Sequence, residues 1–286
     1  MKDVLKFEHL YVNYGKKEIL KDIDFTVRKG EIVGIAGESG CGKSTLLRTV
    51  TGLLENTGHV VSGHVLYGDR ILDTMTDSDY RQLRGMKISM IFQDAISSFC
   101  PVIKIKRHLY DMAAAHGKSD KADVRKQILN IFKRLNLSDG ERILNSYAFE
   151  LSGGMCQRVS IAMAMVFKPD FLLADEPTSA LDVTAAAQVA DELMKLRDTF
   201  ETGILVVSHD IKLLSAITDR IGVMSQGRLV ESGRTETVLC NSKHSYTKKM
   251  MEDAALLNAL PMKQMKTRCA MDSDQENTEL NNQRNR

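Results

Sequence analysis

Gly37-Glu38-Ser39-Gly40-Cys41-Gly42-Lys43-Ser44-Thr45 lies between an apolar run and a helical periodicity. The run before it, Ile32-Val33-Gly34-Ile35-Ala36, reads as a buried strand, and Leu46, Leu47, Val50, Leu53 and Leu54 after it recur at helical spacing. Strand, glycine-rich loop and helix are the context in which G-x-x-x-x-G-K-[ST] marks a phosphate site. The glycines let the backbone wrap close and turn its N–H groups inward, and the helix N-terminus adds partial positive charge. Lys43 is expected to reach the β- and γ-phosphates and Ser44 to ligand Mg²⁺, with Gly37, Ser39, Gly40, Cys41, Gly42 and Thr45 completing the cradle. The stretch therefore predicts a nucleoside triphosphate site rather than a glycine-rich turn with a chance lysine. Cys41 has two readings: a small residue filling a tight loop, or a thiol pushed toward thiolate by the helix N-terminus.

The totals set bounds. A chain of 286 residues can bury a sizeable core as one large domain or two modest ones. A net charge of +2 implies no basic face for nucleic acid. Cys41, Cys100, Cys156, Cys240 and Cys269 are scattered, odd in number and form no C-x-x-C pair. That argues against a disulfide framework or zinc site and fits a reducing cytosol. The N-terminus lacks the apolar core of a signal peptide, and no run approaches the ~20 apolar residues needed to cross a bilayer. Any membrane role must come through partners.

Working outward, Leu5 to Tyr14 and Ile19 to Val27 read as strands around a Gly15-Lys16-Lys17 turn. Tyr14, taken alone, is half-buried packing more often than a ligand platform. Ser62 to Asp69 and Lys87 to Phe92 are further strands, and the second delivers Gln93 at its end, either a turn former or a group aimed at a ligand. From Asp94 to Glu150 the period changes. Val124, Ile128, Ile131, Phe132 and Leu135 form one face of a helix within 121–137, and 99–116 is mostly helix-compatible after Pro101. This is a helical insertion in an otherwise α/β domain. Ser152 reads as the N-cap of a helix running to Lys168 and stopped by Pro169, with Gly153 and Gly154 in its first turn. Phe171-Leu172-Leu173-Ala174 ends in Asp175-Glu176, and adjacent carboxylates beyond a buried strand are rarely structural because burying unpaired charge is costly. Ser179 to Asp182 opens the next helix, Ile204 to Val207 is a strand ending in Ser208-His209, and Ile221 to Glu231 reads as a hairpin turning at Gln226-Gly227. No internal repeat is visible, and Glu276 to Arg286 is polar and predicted disordered.

In this order the pieces resemble the ATP-binding-cassette (ABC) ATPases. Tyr14 matches the aromatic that stacks on adenine, Gly37 to Thr45 Walker A, Gln93 the Q-loop and Leu151-Ser152-Gly153-Gly154 the signature. Asp175 matches Walker B, Glu176 the catalytic glutamate, Ser179 to Asp182 the D-loop and His209 the switch histidine. The resemblance covers roughly 5–251. It implies an α/β fold: a P-loop NTPase (RecA-like) core with an N-terminal antiparallel β subdomain and an inserted helical subdomain. The implied domains are a cassette over 1–250, its helical part about 94–158, and a partly disordered tail over 251–286. Finer features are similar to the peptide/nickel importer branch: Met90 to Asp94, Ser97-Ser98, Pro101, Glu150 to Met155 and His244-Ser245-Tyr246-Thr247. Ala95, Cys100 and Ser245 depart from that branch's usual residues, and Cys240 and Cys269 are too few for the iron–sulfur cluster some members carry.

The resemblance further implies ATP and Mg²⁺, with Ser44, Gln93 and Asp175 on the metal. Glu176 would act on the attacking water, His209 contact the γ-phosphate and Gln93 sense it. Ser152, Gly153, Gly154 and Asp182 would serve a nucleotide on a partner cassette packed head to tail. Implied partners are that second cassette, a paralogue, two membrane permeases and an extracellular substrate-binding protein, with no nucleic acid. The implied location is peripheral, at the cytoplasmic face of the membrane. Two rivals are weighed against this: a cytosolic ABC ATPase working on DNA or ribosomes needs long coiled-coil insertions or two cassettes, neither of which appears here, and a non-hydrolysing binding module is opposed by Glu176 and His209. A sensor must sit next to what it moves, so the permease-coupling surface is expected in 94–112, with Ile96 and Phe99 as contacts.

Overall fold

A computed structural model describes residues 4–55 and 57–256. The buried runs flanking the phosphate loop are strands of one six-stranded sheet. They are β3 (Ile32–Ala36), β7 (Phe171–Asp175) and β8 (Gly203–Ser208), joined by β6 (Ile88–Ile91), β9 (Arg220–Ser225) and β10 (Arg228–Arg234) in the order β10-β9-β3-β8-β7-β6. All pairs are parallel except β9–β10. Of these, β3, β7 and β8 are buried at every position and read as near-continuous apolar runs because both faces are covered. Leu172, Ala174, Ile204 and Val206 face one core with the helices, whereas Phe171, Leu173, Leu205 and Val207 face the other.

The second core is closed by a four-stranded antiparallel sheet, β2-β1-β4-β5, built from β1 (Val4–Tyr14), β2 (Lys17–Arg28), β4 (Gly58–Tyr67) and β5 (Arg70–Ile71). Leu5, Phe7, Leu10 and Val12 alternate inward along β1 and meet α1 (Lys43–Thr51) through Leu46, Leu47 and Val50. Asp170, at the amino end of β7, binds Lys29, Lys87 and the Tyr67 hydroxyl, tying this layer to the sheet. Burial opposes its ionisation, but these donors hold its carboxyl below the usual range.

The β9–β10 hairpin turns at Gln226 and Gly227, with φ of 49° and 82°, the left-handed pair such a turn requires. A Cβ on Gly227 would lie 2.2 Å from the Ile19 carbonyl. That close approach lets Gly227 donate its N–H to the Cys41 carbonyl at 3.1 Å and accept from Lys21 N at 2.8 Å. The hairpin thus supports the phosphate loop.

Between β6 and β7 lie α3 (Ile105–Ala115), α4 (Lys121–Arg134), α5 (Gly140–Asn145) and α6 (Gly153–Ala164). On α4 the buried residues are Val124, Ile128, Ile131 and Phe132, the predicted stripe, and Asp120 caps its start. The α6 helix ends at Ala164 rather than Lys168, and α3 starts only at Ile105. Lys168, at φ 51°, has already turned out of the helix. Four further helices had no expected counterpart: α2 (Asp77–Leu83), α8 (Ile211–Ile217), α9 (Thr235–Cys240) and α10 (Ser245–Leu256). The capping box of Thr76 and Asp79 was a readable signal for α2. The α7 helix (Val183–Phe200) follows β7, with Asp182 as its N-cap. The expected tail from 251 begins inside α10 and otherwise lies outside the described residues. No helix among the described residues is long and apolar enough to cross a membrane. Among the described residues Cys41, Cys100 and Cys156 are free thiols.

Candidate nucleotide site

Because β8 lies between β3 and β7, the carboxyl ends of all three strands adjoin. Ala36 pairs with Ser208 and Asp175 with Val207. Strands about 4.8 Å apart therefore bring residues 33 to 131 positions distant into one cleft, at the sheet edge where ligands of such folds bind. Gly42, at φ 110°, turns the chain into α1, whose first turn has neither a side-chain cap nor an acidic residue. Those N–H groups remain available to an anion.

Lys43 is buried, 5% exposed, and its Nζ donates to the carbonyls of Gly37 at 2.7 Å and Glu38 at 3.0 Å. Its ammonium also lies 3.5 Å from Glu176 Oε1. Ser44 donates its hydroxyl to Asp175 Oδ1 at 3.0 Å. Burial pushes the Asp175 carboxyl up, more than the Ser44 bond lowers it, and the neighbouring Glu176 charge adds to the rise. A divalent cation beside Ser44 and Asp175 would relieve that cost, and both offer the hard oxygens Mg²⁺ prefers. Among the described residues no cluster of three or more His, Cys, Asp or Glu could hold a metal alone, so other ligands would be phosphate and water.

Glu176 has φ 47°, a left-handed conformation uncommon outside glycine. It is held there from both ends. Its N–H donates to Val207 O at 2.9 Å, and its carboxylate accepts from Ser208 Oγ at 3.1 Å, His209 N at 3.1 Å and His209 Nδ1 at 2.9 Å. The opposite ring edge is open, since the His209 side chain is 57% exposed. A cleft of about 550 Å³ opens here, lined by Gly37, Glu176, Ser179, His209 and, from α10, Tyr246. Ser208 and Tyr246 were missed by sequence reasoning: Ser208 was passed over as a strand end, and Tyr246 sits 208 residues from its phosphate-loop partner.

Other expected residues fall elsewhere. Ser152 caps α6, accepting from Met155 N at 3.2 Å, and Asp182 caps α7, accepting from Ala185 N at 2.9 Å. Ser152, Gly153, Gly154 and Asp182 line a separate depression of about 550 Å³. Tyr14, at the end of β1, packs its ring against Gly58, and its hydroxyl is buried with no hydrogen-bond partner among the described residues. Gln93 is exposed two residues beyond β6. Among the described residues no hydrogen bond joins Tyr14 or Gln93 to the phosphate loop. Of the two expected coupling residues, Ile96 is 46% exposed but Phe99 is 7% exposed and stacks edge-on against His108, so Phe99 is core.

Cys41 is corrected as well. It is buried, and that burial pushes its thiol up despite the nearby Lys43 charge, so the thiolate reading fails. A raised pKa means less thiolate near neutrality, and reactivity that climbs with pH as the thiolate fraction grows. Iodoacetamide at pH 7.5 is expected to modify exposed Cys100 well before Cys41, with the Cys41 rate rising toward pH 9.5. Peptide mass spectrometry checks this, and Cys41 labelling first at pH 7.5 would count against it.

The family model described as ABC transporter matches residues 20–179. A probable peptide ABC transporter ATP-binding protein of Sinorhizobium fredii is 36% identical over 254 residues, 88% of this chain and 74% of that protein. The metal-staphylopine import system ATP-binding protein CntD of Staphylococcus aureus is 32% identical over 258 residues, 89% and 94% of the two chains. Among solved structures, cbiO1 from Clostridium perfringens, part of the ABC transporter complex cbiONQ, superposes with a TM-score of 0.74 at 26% identity, covering 90% of this chain and 96% of that one. The chain belongs to the ABC transporter family. It is an ATP-binding, ATP-hydrolysing subunit of the kind that works with membrane permeases.

Proposed function

We propose that this chain is one of two cassettes that close on ATP at the cytoplasmic face of a membrane, powering uptake of peptides or a metal chelate. The separation of Ser152–Gly154 from the cleft lined by Gly37, Glu176 and His209, beside which Lys43 meets Glu176 and Ser44 meets Asp175, carries this reading. One chain leaves the γ-phosphate open on one side, and a second cassette's signature helix is the complementary part. Contacts made only in the closed pair make ATP binding favour closure, and a shift from 1:99 to 99:1 needs about 5.5 kcal/mol of differential binding. The cargo follows those relatives, a peptide transporter for one and a metal-staphylopine import system for the other. Two permeases and an extracellular binding protein complete the assembly, and the cassette spans 1–250 with its helical part over about 94–158.

Lys43 neutralises phosphate oxygens from inside the loop, and Tyr14 stacks on the base. Ser44, Asp175 and Gln93 would hold Mg²⁺, which when bound would supply neutralisation of phosphate charge and polarisation of the γ-phosphorus. Glu176 orients a water and accepts its proton. Its carboxylate is already taken by Ser208, His209 and Lys43, so a water gains access only when one of these contacts lets go. The exchangeable one is Lys43, which phosphate draws away, whereas Ser208 and His209 keep the carboxylate aimed. His209 then offers its open edge to the γ-phosphate.

Docking of the permeases is assigned to the loop after Gln93 and the adjoining hollow of about 370 Å³ lined by Leu53, Phe92, His108 and Met112. Phe92 and Leu53 are 44% and 41% exposed there. Ile96→Glu tests this: co-purification with the permeases and ATP-driven uptake are expected to fall at least about tenfold, since one desolvated charge costs more than 1.4 kcal/mol. Nucleotide affinity and melting temperature should stay at wild-type values. Normal co-purification with normal uptake would place the docking surface elsewhere.

A further inference from the structure

The His244-Ser245-Tyr246-Thr247 segment has no part in the chemistry above, yet it forms a strut to the phosphate loop. Its base is on the hairpin, where the Glu231 carboxylate on β10 accepts from Lys243 N at 2.8 Å and His244 N at 3.1 Å. His244 Nδ1 accepts from Tyr246 N at 3.2 Å, fixing the first turn of α10. Thr247 and Met251 are buried one turn apart on the inner face, and Met250 and Ala254 pack on the helical core. So anchored, Tyr246 reaches the site, and its hydroxyl accepts the Glu38 N–H at 3.3 Å. Glu38 is therefore gripped at both ends, its N–H by Tyr246 and its carbonyl by Lys43.

We propose that Tyr246 is a positioning residue for nucleotide binding, holding the Glu38 peptide so that its carbonyl keeps the Lys43 ammonium at the phosphate position. This rests on reading Gly37–Thr45 as the triphosphate site. The physical case is one of freedom removed. Glu38 and Ser39 are exposed, and Tyr246 and Lys249 of α10 line the same cleft as Gly37 and Glu38. A loop that must be ordered upon binding loses affinity by the cost of ordering it. Tyr246 makes that ordering part of the folded chain, before nucleotide arrives.

Tyr246→Phe in the full chain removes the hydroxyl and keeps the ring. Titration with a fluorescent ATP analogue and Mg²⁺ is expected to show Kd raised about fivefold, the worth of one net hydrogen bond. The rise should appear in the KM for ATP and not in kcat, with the melting temperature within about 2 °C of wild type. A merely structural tyrosine would move melting temperature and leave Kd alone. Wild-type affinity in Tyr246→Phe, or weaker binding only in step with early melting, would overturn the assignment. Weak binding in Tyr246→Ala beside wild-type affinity in Tyr246→Phe would also overturn it, since ring packing alone would then matter. Lys43→Ala separates the two levels: its loss of binding with Tyr246→Phe unaffected removes only the Tyr246 role, whereas wild-type binding in both removes the triphosphate site itself.

Discussion

Replacing Glu176 with glutamine is expected to cut steady-state ATP hydrolysis by about 10²- to 10⁴-fold, the worth of a positioned general base, while MgATP affinity stays near wild type. The amide keeps the volume and retains one oxygen to accept from His209 N and Ser208, so the left-handed turn at Glu176 survives. What disappears is the capacity to take a proton from water. On the proposed pairing, hydrolysis would remove the γ-phosphate bridging two cassettes, so the variant should also accumulate as an ATP-held pair. Turnover assays on the permease-bound complex and sedimentation of the isolated variant with and without MgATP measure the two effects. Turnover near wild type would remove Glu176 from the chemistry, and a monomer under both conditions would remove the pairing.

Lys43→Ala carries the second large effect, on affinity. The ammonium is buried and shared among two loop carbonyls and Glu176, so the variant loses both the phosphate contact and the loop's internal brace. Charge-assisted bonds to phosphate are about twice as strong as neutral ones, and losing them should lower nucleotide affinity by at least about a hundredfold. A ligand that binds only the folded state raises its melting temperature, by about 2.7 kcal/mol of added stability at a hundred times its Kd. Wild-type protein should show that rise with MgATP and Lys43→Ala should not. The variant should also melt earlier without nucleotide, because buried Glu176 loses the Lys43 ammonium beside it. Equal stabilisation of both proteins by MgATP would place the nucleotide elsewhere.

Much of this architecture was legible along the chain. The runs at Ile32–Ala36, Phe171–Ala174 and Ile204–Val207 are apolar at every position or nearly so, which only a strand covered on both faces tolerates, and the stripe on α4 has the helical period. Gln226-Gly227 announced its own turn, and Gly37 to Thr45 announced its phosphate cradle. These are short-range properties: periodicity, glycine conformations and helix termini act within a few residues, so the linear order displays them. Cys41, Phe99 and Glu176 were different. Neighbours in sequence suggested a reactive thiol and an exposed docking contact, but burial by distant segments raised the one and enclosed the other. The bonds that aim Glu176 come from Ser208 and His209, and they exist because β8 enters the sheet between β3 and β7. Tyr246 meets Glu38 across 208 positions for the same kind of reason, through a hairpin and a helix that return the chain to the phosphate loop. Sequence by itself determined which chemical groups this protein owns and the local backbone that presents them. Only the tertiary structure decided which of them meet, because burial and long-range pairing depend on strand order and on how the layers pack, and neither is a property of any short stretch.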